Sequence, residues 1–197
     1  MMIALIKYNA GNVSSVISAL HRIGTDAKLT DDPEVIKNAD KVIFPGVGEA
    51  SSAMAYLRAS GLDKVIKSLN KPFLGICLGL QLMCKRSEEG DVDCLGIFPN
   101  VEVKRFPESK SYKIPHVGWN TIEPSDDKLF KGIENQSYVY FVHSYYAELT
   151  DSAIASTIYD DLAFASAIKR DNFYGLQIHP EKSGEVGERI LRNFLEI

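Results

Sequence analysis

The sequence predicts an α/β protein with a mainly parallel central sheet and an additional antiparallel portion in the C-terminal half. Short apolar strands alternate with segments of helical periodicity in the first half, and after Cys94 shorter strands follow, some of them antiparallel. The chain has 197 residues, 45% hydrophobic and 24% charged, and is expected to fold as one domain over 1–197. A domain of this length buries roughly 70% of its unfolded surface.

The first half is predicted to alternate strands and helices. Apolar runs indicate strands at Ile3–Ile6, Ala27–Thr30, Lys41–Phe44 and Phe73–Ile76. Helical spacing is seen for Val13, Val16, Ile17, Leu20 and Ile23, and further helices are predicted over Pro33–Asn38 and Glu49–Leu69, the latter broken near Ser60-Gly61. His21 falls on the flank of the first helix and is expected to be an ordinary surface residue.

The second half is predicted to be strand-rich. Strands are expected at Val101–Phe106, Tyr138–His143, Ala153–Tyr159, Phe164–Arg170 and Phe173–Gln177. A helix over Ser183–Leu195 closes the chain, and the charged stretch 86–91 is expected to be a solvated loop.

Composition excludes several classes of protein. A net charge of −4 provides no basic surface for nucleic acid or an anionic membrane. The apolar run at residues 1–6 is too short for a signal or membrane-spanning segment, so a cytoplasmic location is expected. The three cysteines form no C-x-x-C pair, and Cys84 and Cys94 are interpreted as small hydrophobic residues. No cluster has metal-ligand spacing, so neither a metal nor an organic cofactor is expected.

Cys77 falls on a predicted tight turn between a buried strand and a helix. Gly75 and Gly79 flank it at two residues on either side, where closely approaching backbones leave no room for side chains. A helix start also favours the thiolate over the thiol. The sequence therefore predicts that Cys77 is a nucleophile, although a buried core cysteine is the alternative for this residue taken alone.

His179 and Glu181 form the second part of the predicted site. They are two residues apart, so in an extended segment their side chains share a face, and Pro180 restricts the backbone between them. An imidazole held by a carboxylate is the base that a nucleophilic cysteine needs. The combination predicts covalent acyl transfer; the alternative is an unrelated surface His and Glu.

The segment Pro45-Gly46-Val47-Gly48 follows a predicted strand and precedes a helix. Its glycine spacing partly matches a dinucleotide-binding motif, but Ser51 occupies the third glycine position. The favoured interpretation is an oxyanion site, in which Gly46 and Val47 let the backbone direct a peptide N–H at a tetrahedral intermediate and Leu78 N–H is the second donor.

These motifs resemble a known family. The run Gly75–Gln81 and the late His179-Pro180-Glu181 are similar to those of triad-type (class I) glutamine amidotransferases. The resemblance implies a flavodoxin-like three-layer fold in which the cysteine attacks the side-chain amide of glutamine, forms a glutamyl thioester and releases ammonia. Further segments resemble the glutaminase subunits of imidazole glycerol phosphate synthase, from histidine biosynthesis: residues 8–12, 45–48, 115–120, 143–146 and 182–183.

The resemblance also implies substrate-binding residues. Gln81 lies one helical turn after Cys77 on the same face and is implied to contact glutamine, although a solvated helix glutamine is the alternative. Ser144 and Tyr145, which end a predicted strand, are implied to contact the substrate as well. The carboxylate for the substrate α-amino group is Glu89, with its neighbour Glu88 left open. His143 is interpreted as a structural histidine.

The implied partner is the cyclase subunit, which is a (β/α)₈ barrel that consumes the ammonia in a heterodimer. Asn12, Trp119 and Lys182 are implied to face it, although Trp119 alone is equally a partly buried core residue. The resemblance further implies that the glycine-rich segment reorients before the oxyanion site is complete. Lys7 and Asn9 depart from the family pattern in the first loop. A glutaminase for another synthase and a non-catalytic module of this fold are the alternative functions.

Overall fold

The computed structural model describes residues 1–8, 13–109 and 111–197. Its strands are β1 Ile3–Ile6, β2 Ala27–Thr30, β3 Lys41–Phe44, β4 Phe73–Ile76, β5 Cys84–Ser87, β6 Val92–Asp93, β7 Phe98–Arg105, β8 His116–Pro124, β9 Ser137–His143, β10 Tyr145–Ala147, β11 Ala153–Tyr159, β12 Leu162–Arg170 and β13 Phe173–Leu176. Its helices are α1 Val13–Arg22, α2 Pro33–Asn38, α3 Ala50–Ser60, α4 Leu62–Lys67, α5 Leu78–Met83 and α6 Gly184–Glu196.

The described strands join in one mixed sheet. Its parallel part runs in the order β2-β1-β3-β4-β13, and its other part continues through β12, β10, β7, β5 and β6, mostly antiparallel. Strand β13 returns from the C-terminal half to lie parallel to β4, with Leu176 opposite Ile76. The last residues of these two strands therefore bring the segments around Cys77 and His179 to the same edge of the sheet.

Helices cover both faces of the parallel sheet, giving three layers. In β1 the side chains of Ala4 and Ile6 join the core under α2, α3 and α4, whereas Ile3 and Leu5 join the core under α1 and α6. This alternation follows from the two-residue period of a strand. Because both faces are covered, β1, β3, β4 and β13 are buried throughout.

Strands β8 and β9 form an antiparallel hairpin that is attached to the sheet through β11. Trp119 lies opposite Tyr140 across this hairpin, and Thr121 opposite Tyr138. The hairpin places large aromatic side chains at the surface: Trp119 is 56% exposed and Tyr138 62% exposed.

The predicted elements of the first half are confirmed, including the helix break, where Gly61 has a φ of 73° between α3 and α4. Four strands, β5, β6, β8 and β10, were not predicted. The expected loop at 86–91 is wrong at its start, because Arg86 and Ser87 belong to β5 and pair with β7. Strand β7 begins at Phe98 rather than at Val101. Among the described residues, no helix is both long and apolar enough to cross a membrane.

Candidate active site

Cys77 occupies a strained turn between β4 and α5. Its φ is 53° and its ψ −108°, a backbone conformation that non-glycine residues rarely adopt. A Cβ on Gly75 would lie 2.7 Å from the carbonyl oxygen of Gly79, and a Cβ on Gly79 would collide with the carbonyl oxygen of Phe44. The two glycines therefore let β3, β4 and α5 approach closely, and this packing holds Cys77 in its strained conformation.

His179 and Glu181 are both buried and hydrogen-bonded to one another. His179 Nδ1 donates to Glu181 Oε1 over 2.8 Å, and the two side chains are 2% and 4% exposed. The segment is not extended throughout as predicted, because Pro180–Lys182 forms a 3₁₀ turn that brings the carboxylate beneath the imidazole. The hydrogen bond to Glu181 fixes Nδ1 as a donor and leaves Nε2 for proton exchange.

The electrostatics of His179 follow from this arrangement. Burial lowers the pKa of the imidazole, but the charge of Cys77 and the hydrogen bond to Glu181 more than reverse this and raise the pKa to about 10. A hydrogen bond with the Cys77 side chain is a further cause that raises the pKa of His179. At neutral pH the imidazole therefore carries a proton that it can deliver beside Cys77.

The glycine-rich segment after β3 lies against the start of α5. Leu78 N–H donates to the carbonyl oxygen of Gly46 over 3.3 Å, so one predicted oxyanion donor is already occupied by the other predicted segment. A Cβ on Gly46 would collide with the hydroxyl of Tyr8 and lie 2.8 Å from Leu78 Cβ. In this conformation Gly46 presents its carbonyl to Leu78 N–H, at the place where the sequence predicts an oxyanion site.

A cavity of about 300 Å³ opens beside Cys77. Its lining includes Val47, Cys77, Leu78, Gln81, Glu89, Ser144 and Tyr145, all predicted site residues, together with Gly48, Pro115, Val142 and His143. The predicted site residues Gly46, His179 and Glu181 are not among the lining residues. A concave site of this size, part apolar and part polar, suits a small amino acid.

Two neighbouring carboxylates were candidates for one role, and only Glu89 lines the cavity. Glu89 accepts a hydrogen bond from Ala50 N–H, and burial raises the pKa of its carboxyl. Glu88 instead accepts from Arg105 N–H and lies 3.6 Å from Lys104 Nζ. The geometry therefore favours Glu89 as the carboxylate that faces a ligand.

Gln177 was not recognised as a site residue from the sequence. It is fully buried, and its Nε2 lies 3.6 Å from Cys77 Sγ. The signal was present, because a glutamine at the end of an apolar strand and two residues before His179 is a polar side chain directed at the same place.

A buried histidine pair lies behind the cavity wall. His143 Nδ1 lies 2.8 Å from the carbonyl oxygen of Tyr145, and His143 Nε2 lies 3.0 Å from His116 Nδ1. Burial lowers the pKa of His143 to about 3 and that of His116 to about 4, so both are neutral at pH 7. The structural role predicted for His143 agrees with these contacts, although the residue also lines the cavity.

The other two cysteines are in different surroundings. Burial raises the pKa of Cys84 well above its usual range and that of Cys94 to about 12. Both are therefore thiols at neutral pH. Within the described ranges, no cluster of three or more His, Cys, Asp or Glu side chains could hold a metal ion.

Of the three predicted interface residues, two lie on one surface, and Asn12 lies outside the described residues. Lys182 Nζ sits 5.7 Å from the ring centroid of Tyr140, and the Tyr140 ring lies 6.0 Å from that of Trp119 at a steep angle. This cluster adjoins the catalytic turn, because Tyr140 C=O accepts from His179 N–H over 2.9 Å.

Comparison with known proteins identifies the family. The family model described as glutamine amidotransferase class-I matches residues 4–197, and the chain belongs to this family. Proteins named imidazole glycerol phosphate synthase subunit HisH are 55% identical in Bacteroides thetaiotaomicron and 57% identical in Bacteroides fragilis strain YCH46, each over all of both chains. A protein of the same name with the suffix 2, from Legionella pneumophila strain Paris, is 44% identical over all of this chain and 98% of its own.

Solved structures support the fold. A crystal structure of a glutamine amidotransferase superposes with a TM-score of 0.74 at 18% identity, covering 98% of this chain and 97% of its own. PurLQS from Thermotoga maritima gives a TM-score of 0.71 at 17% identity, with 99% and 97% covered. The predicted family and the predicted α/β fold are thus confirmed, and the full-length relatives carry the name of the synthase whose glutaminase the sequence motifs resemble.

Proposed function

We propose that this chain is the glutaminase subunit of an imidazole glycerol phosphate synthase, built as one class I amidotransferase domain over 1–197 and acting in the cytoplasm. It hydrolyses L-glutamine to L-glutamate and ammonia and passes the ammonia to a cyclase subunit. The cyclase forms imidazole glycerol phosphate and aminoimidazole carboxamide ribotide. The observation that carries the proposal is the strained Cys77 beside a buried His179–Glu181 pair and a cavity of amino-acid size, in a chain with full-length relatives of that name.

The chemistry follows from the positions of three side chains. With the proton on His179 Nε2, the sulfur of Cys77 attacks the carboxamide carbon of glutamine as a thiolate. Collapse of the tetrahedral intermediate breaks the C–N bond, and the imidazolium proton leaves with the nitrogen as ammonia. His179 then takes a proton from water, which hydrolyses the glutamyl thioester and restores the thiolate. Glu181 holds the imidazole in orientation throughout.

Substrate binding is assigned to the cavity wall. Glu89 pairs with the α-amino group of glutamine, and Gln81, Ser144 and Tyr145 contact the remaining polar atoms. Burial raises the pKa of Glu89 by disfavouring its ionised form, and a cationic α-amino group beside the carboxylate would stabilise that form.

The resting conformation is incomplete as an oxyanion site, because Leu78 N–H is engaged by the Gly46 carbonyl. We infer that the peptide between Gly46 and Val47 turns over in the active state, which frees Leu78 N–H and adds Val47 N–H as a donor. A neutral backbone hydrogen bond contributes about 0.5–1.5 kcal/mol. A shift from about 1% to 99% competent needs roughly 5.5 kcal/mol, so partner and ligand contacts must supply most of it.

The partner surface is placed on the cluster of Trp119, Tyr140 and Lys182. An exposed tryptophan beside an aromatic ring and a lysine suits an interface anchor. The backbone of Tyr140 connects this surface to the segment that carries His179. Its N–H donates to the side-chain Oγ of Ser183, and its C=O accepts from His179 N–H. A cyclase that presses on the hairpin therefore acts directly on the segment that carries His179.

The test uses the assembled complex of this chain with the cyclase. Cys77→Ala should abolish glutamine-dependent synthesis of imidazole glycerol phosphate and leave ammonia-dependent synthesis nearly intact, because the acyl chemistry lies in this chain. Glutamate release should be slow for the chain alone, and faster with the cyclase and its bound nucleotide. Loss of both synthetic activities in Cys77→Ala would contradict the proposed function. Equal glutamate release in every condition would contradict the gated site.

A further inference from the structure

The side chain of Gln177 faces the sulfur of the nucleophile. Its Nε2 lies 3.6 Å from Cys77 Sγ, and the residue is fully buried directly after β13. The backbone N–H of Gln177 donates to the carbonyl of Ser166 on β12, so the main chain at this point is held by the sheet. The sulfur also lies 3.9 Å from the Val142 carbonyl oxygen, which can only accept, and it has a hydrogen bond with the His179 imidazole.

The orientation of the Gln177 amide is fixed, through Gln81, by the backbone carbonyl of Tyr145. Gln81 lies 2.8 Å from the carbonyl oxygen of Tyr145, and because a carbonyl only accepts, the end of Gln81 that faces it is the NH₂ group. The same NH₂ group lies 3.0 Å from Gln177, whose facing end must then be the oxygen. The Gln177 NH₂ group is therefore the end that faces sulfur.

Exchanging the oxygen and NH₂ ends of the amide would lose a hydrogen bond at either Gln81 or Gln177. Reversing Gln81 would set its oxygen against the Tyr145 oxygen, and reversing Gln177 alone would set two NH₂ groups against one another. The Tyr145 carbonyl is itself held, because His143 Nδ1 lies 2.8 Å away and neutral His143 donates there while its Nε2 accepts from His116. The chain of hydrogen bonds joins four buried side chains through the half-buried Tyr145 and has one consistent set of donors.

We propose that Gln177 is a further catalytic residue, whose Nε2–H donates to the Cys77 thiolate and is held in place by Gln81 and the Tyr145 carbonyl. This rests on the proposed function only in taking Cys77 as the nucleophile. While the proton is on His179 the sulfur is negatively charged, and the Gln177 hydrogen bond to it is charge-assisted and therefore stronger than a hydrogen bond to a thiol. When sulfur attacks glutamine that charge moves to the carboxamide oxygen, and it returns to sulfur when the thioester is hydrolysed.

This sequence of charges makes a specific distinction. The hydrogen bond stabilises the free thiolate and the departing thiolate, and it weakens while the S–C bond forms. Gln177 should therefore control how much thiolate exists at a given pH more than it controls the rate at which the thiolate attacks. A residue that served only to pack the core would change neither quantity in a pH-dependent way.

The experiment measures the rate at which iodoacetamide alkylates Cys77 as a function of pH, with the modified peptide identified by mass spectrometry. Gln177→Met keeps the length of the side chain and removes the donor, and it should lower the rate at neutral pH by about tenfold while the rate at high pH is retained. The pH of half-maximal rate should move upward. Ser166→Ala, at a buried neighbouring hydroxyl with no hydrogen-bond partner among the described residues, is the matched control and should reproduce the wild-type profile.

Alkylation requires neither glutamine nor the cyclase, so it reports on Gln177 even if the proposed function fails. Superimposable profiles for Gln177→Met and the wild type would overturn the proposal. If the variant does not fold, the side-chain amide resonance of Gln177 in the wild-type protein should titrate together with the alkylation rate. A Gln177 amide resonance whose chemical shift does not change over the pH range of the alkylation profile would also overturn the proposal.

Discussion

At the scale of single residues, the site depends on how differently the structure treats chemically identical groups. Cys77 sits at a strained turn beside an imidazole and opens to a cavity, whereas Cys84 and Cys94 are buried thiols. Glu88 and Glu89 are adjacent in sequence and face different surroundings. Two tests use these differences, one among the cysteines and one between the glutamates.

The first prediction concerns the selectivity of labelling. A glutamine analogue that carries an electrophile should label Cys77 and spare Cys84 and Cys94, because burial raises the pKa of both and keeps them as thiols. Peptide mapping after partial reaction gives the answer, and Cys77→Ser serves as the blank. Equal labelling at all three positions would remove Cys77 from its role.

The second prediction separates the two carboxylates. Glu89→Gln should raise the KM for glutamine by about tenfold through loss of a charge-assisted contact, with a smaller effect on kcat. Gln can still accept the hydrogen bond from Ala50, so the fold should persist. Glu88→Gln is the matched control and should leave both constants unchanged. The reverse pattern would transfer the role to Glu88.

At the scale of elements, the turn around Cys77 depends on the close packing of α5 against β3 as well as on the chemistry of the cysteine. Gly79 is where α5 meets the end of β3, and a methyl group there would occupy the position of the Phe44 carbonyl oxygen. Helix α5 has only six residues, and all of them are buried. The helix therefore cannot move away from β3 without disturbing the packing on its other sides.

Gly79→Ala should accordingly destabilise the protein by about 1–3 kcal/mol and reduce glutaminase activity at temperatures where the chain is still folded. Gly24→Ala is the comparison, because Gly24 has a φ of 80° but open space around its Cβ position. It should show only the cost of backbone strain and leave activity unchanged. Urea denaturation gives the free energies, and an unaffected Gly79→Ala would mean that β3 and α5 separate easily.

The same element scale explains what the sequence could and could not predict. Strands β1, β3 and β4 were predicted because they are short apolar runs bounded by turns, and the elbow was predicted because glycine spacing has a steric cause. Strand β5 was missed because Lys85 and Arg86 carry charge on an outer part of the sheet. Strand β8 was missed because Val117 and Trp119 are exposed, so the hydrophobic pattern points away from the core.

The candidate site shows the same limit. The proposed nucleophile, base and carboxylate each follow from a local pattern of a few residues. Gln177 was not recognised because its role depends on Gln81 and Tyr145, which are distant in sequence and meet only in the fold. The Leu78–Gly46 hydrogen bond was likewise beyond pattern analysis, since it joins two backbone groups that any residues would possess.

At the scale of the whole molecule, buried histidines link stability to pH. An unfolded imidazole takes up a proton near pH 6.5, whereas burial lowers the pKa of His116 to about 4 and of His143 to about 3. Between pH 6.5 and the lowered pKa values, the unfolded state binds more protons than the folded state. The contribution of His116 and His143 to stability is therefore present above pH 6.5 and is lost as the pH falls towards 4. His179 has a raised pKa, and its contribution is lost in the opposite window, from 6.5 up to about 10.

The fourth prediction follows from these signs. The melting temperature of the wild-type protein should fall between pH 6.5 and 4.5, and the double variant His116→Gln/His143→Gln should fall less steeply, because glutamine preserves hydrogen bonding without taking up a proton. Comparing slopes rather than absolute values removes the packing cost of the substitutions. His21→Gln, at an exposed histidine, controls for the loss of an imidazole. Parallel slopes for all three proteins would contradict the assignment.

The hydrogen bond between Leu78 N–H and the Gly46 carbonyl has a consequence for how this protein can evolve. A restraint made from main-chain atoms contains no side chain that a point mutation can delete, and most replacements at Leu78 would preserve it. At Gly46 any replacement brings a Cβ against Tyr8 and Leu78. Under the proposed gating, random substitution would tend to damage the enzyme before it produced one that consumes glutamine without control. The proposed inactive conformation would then be inherited with the backbone fold.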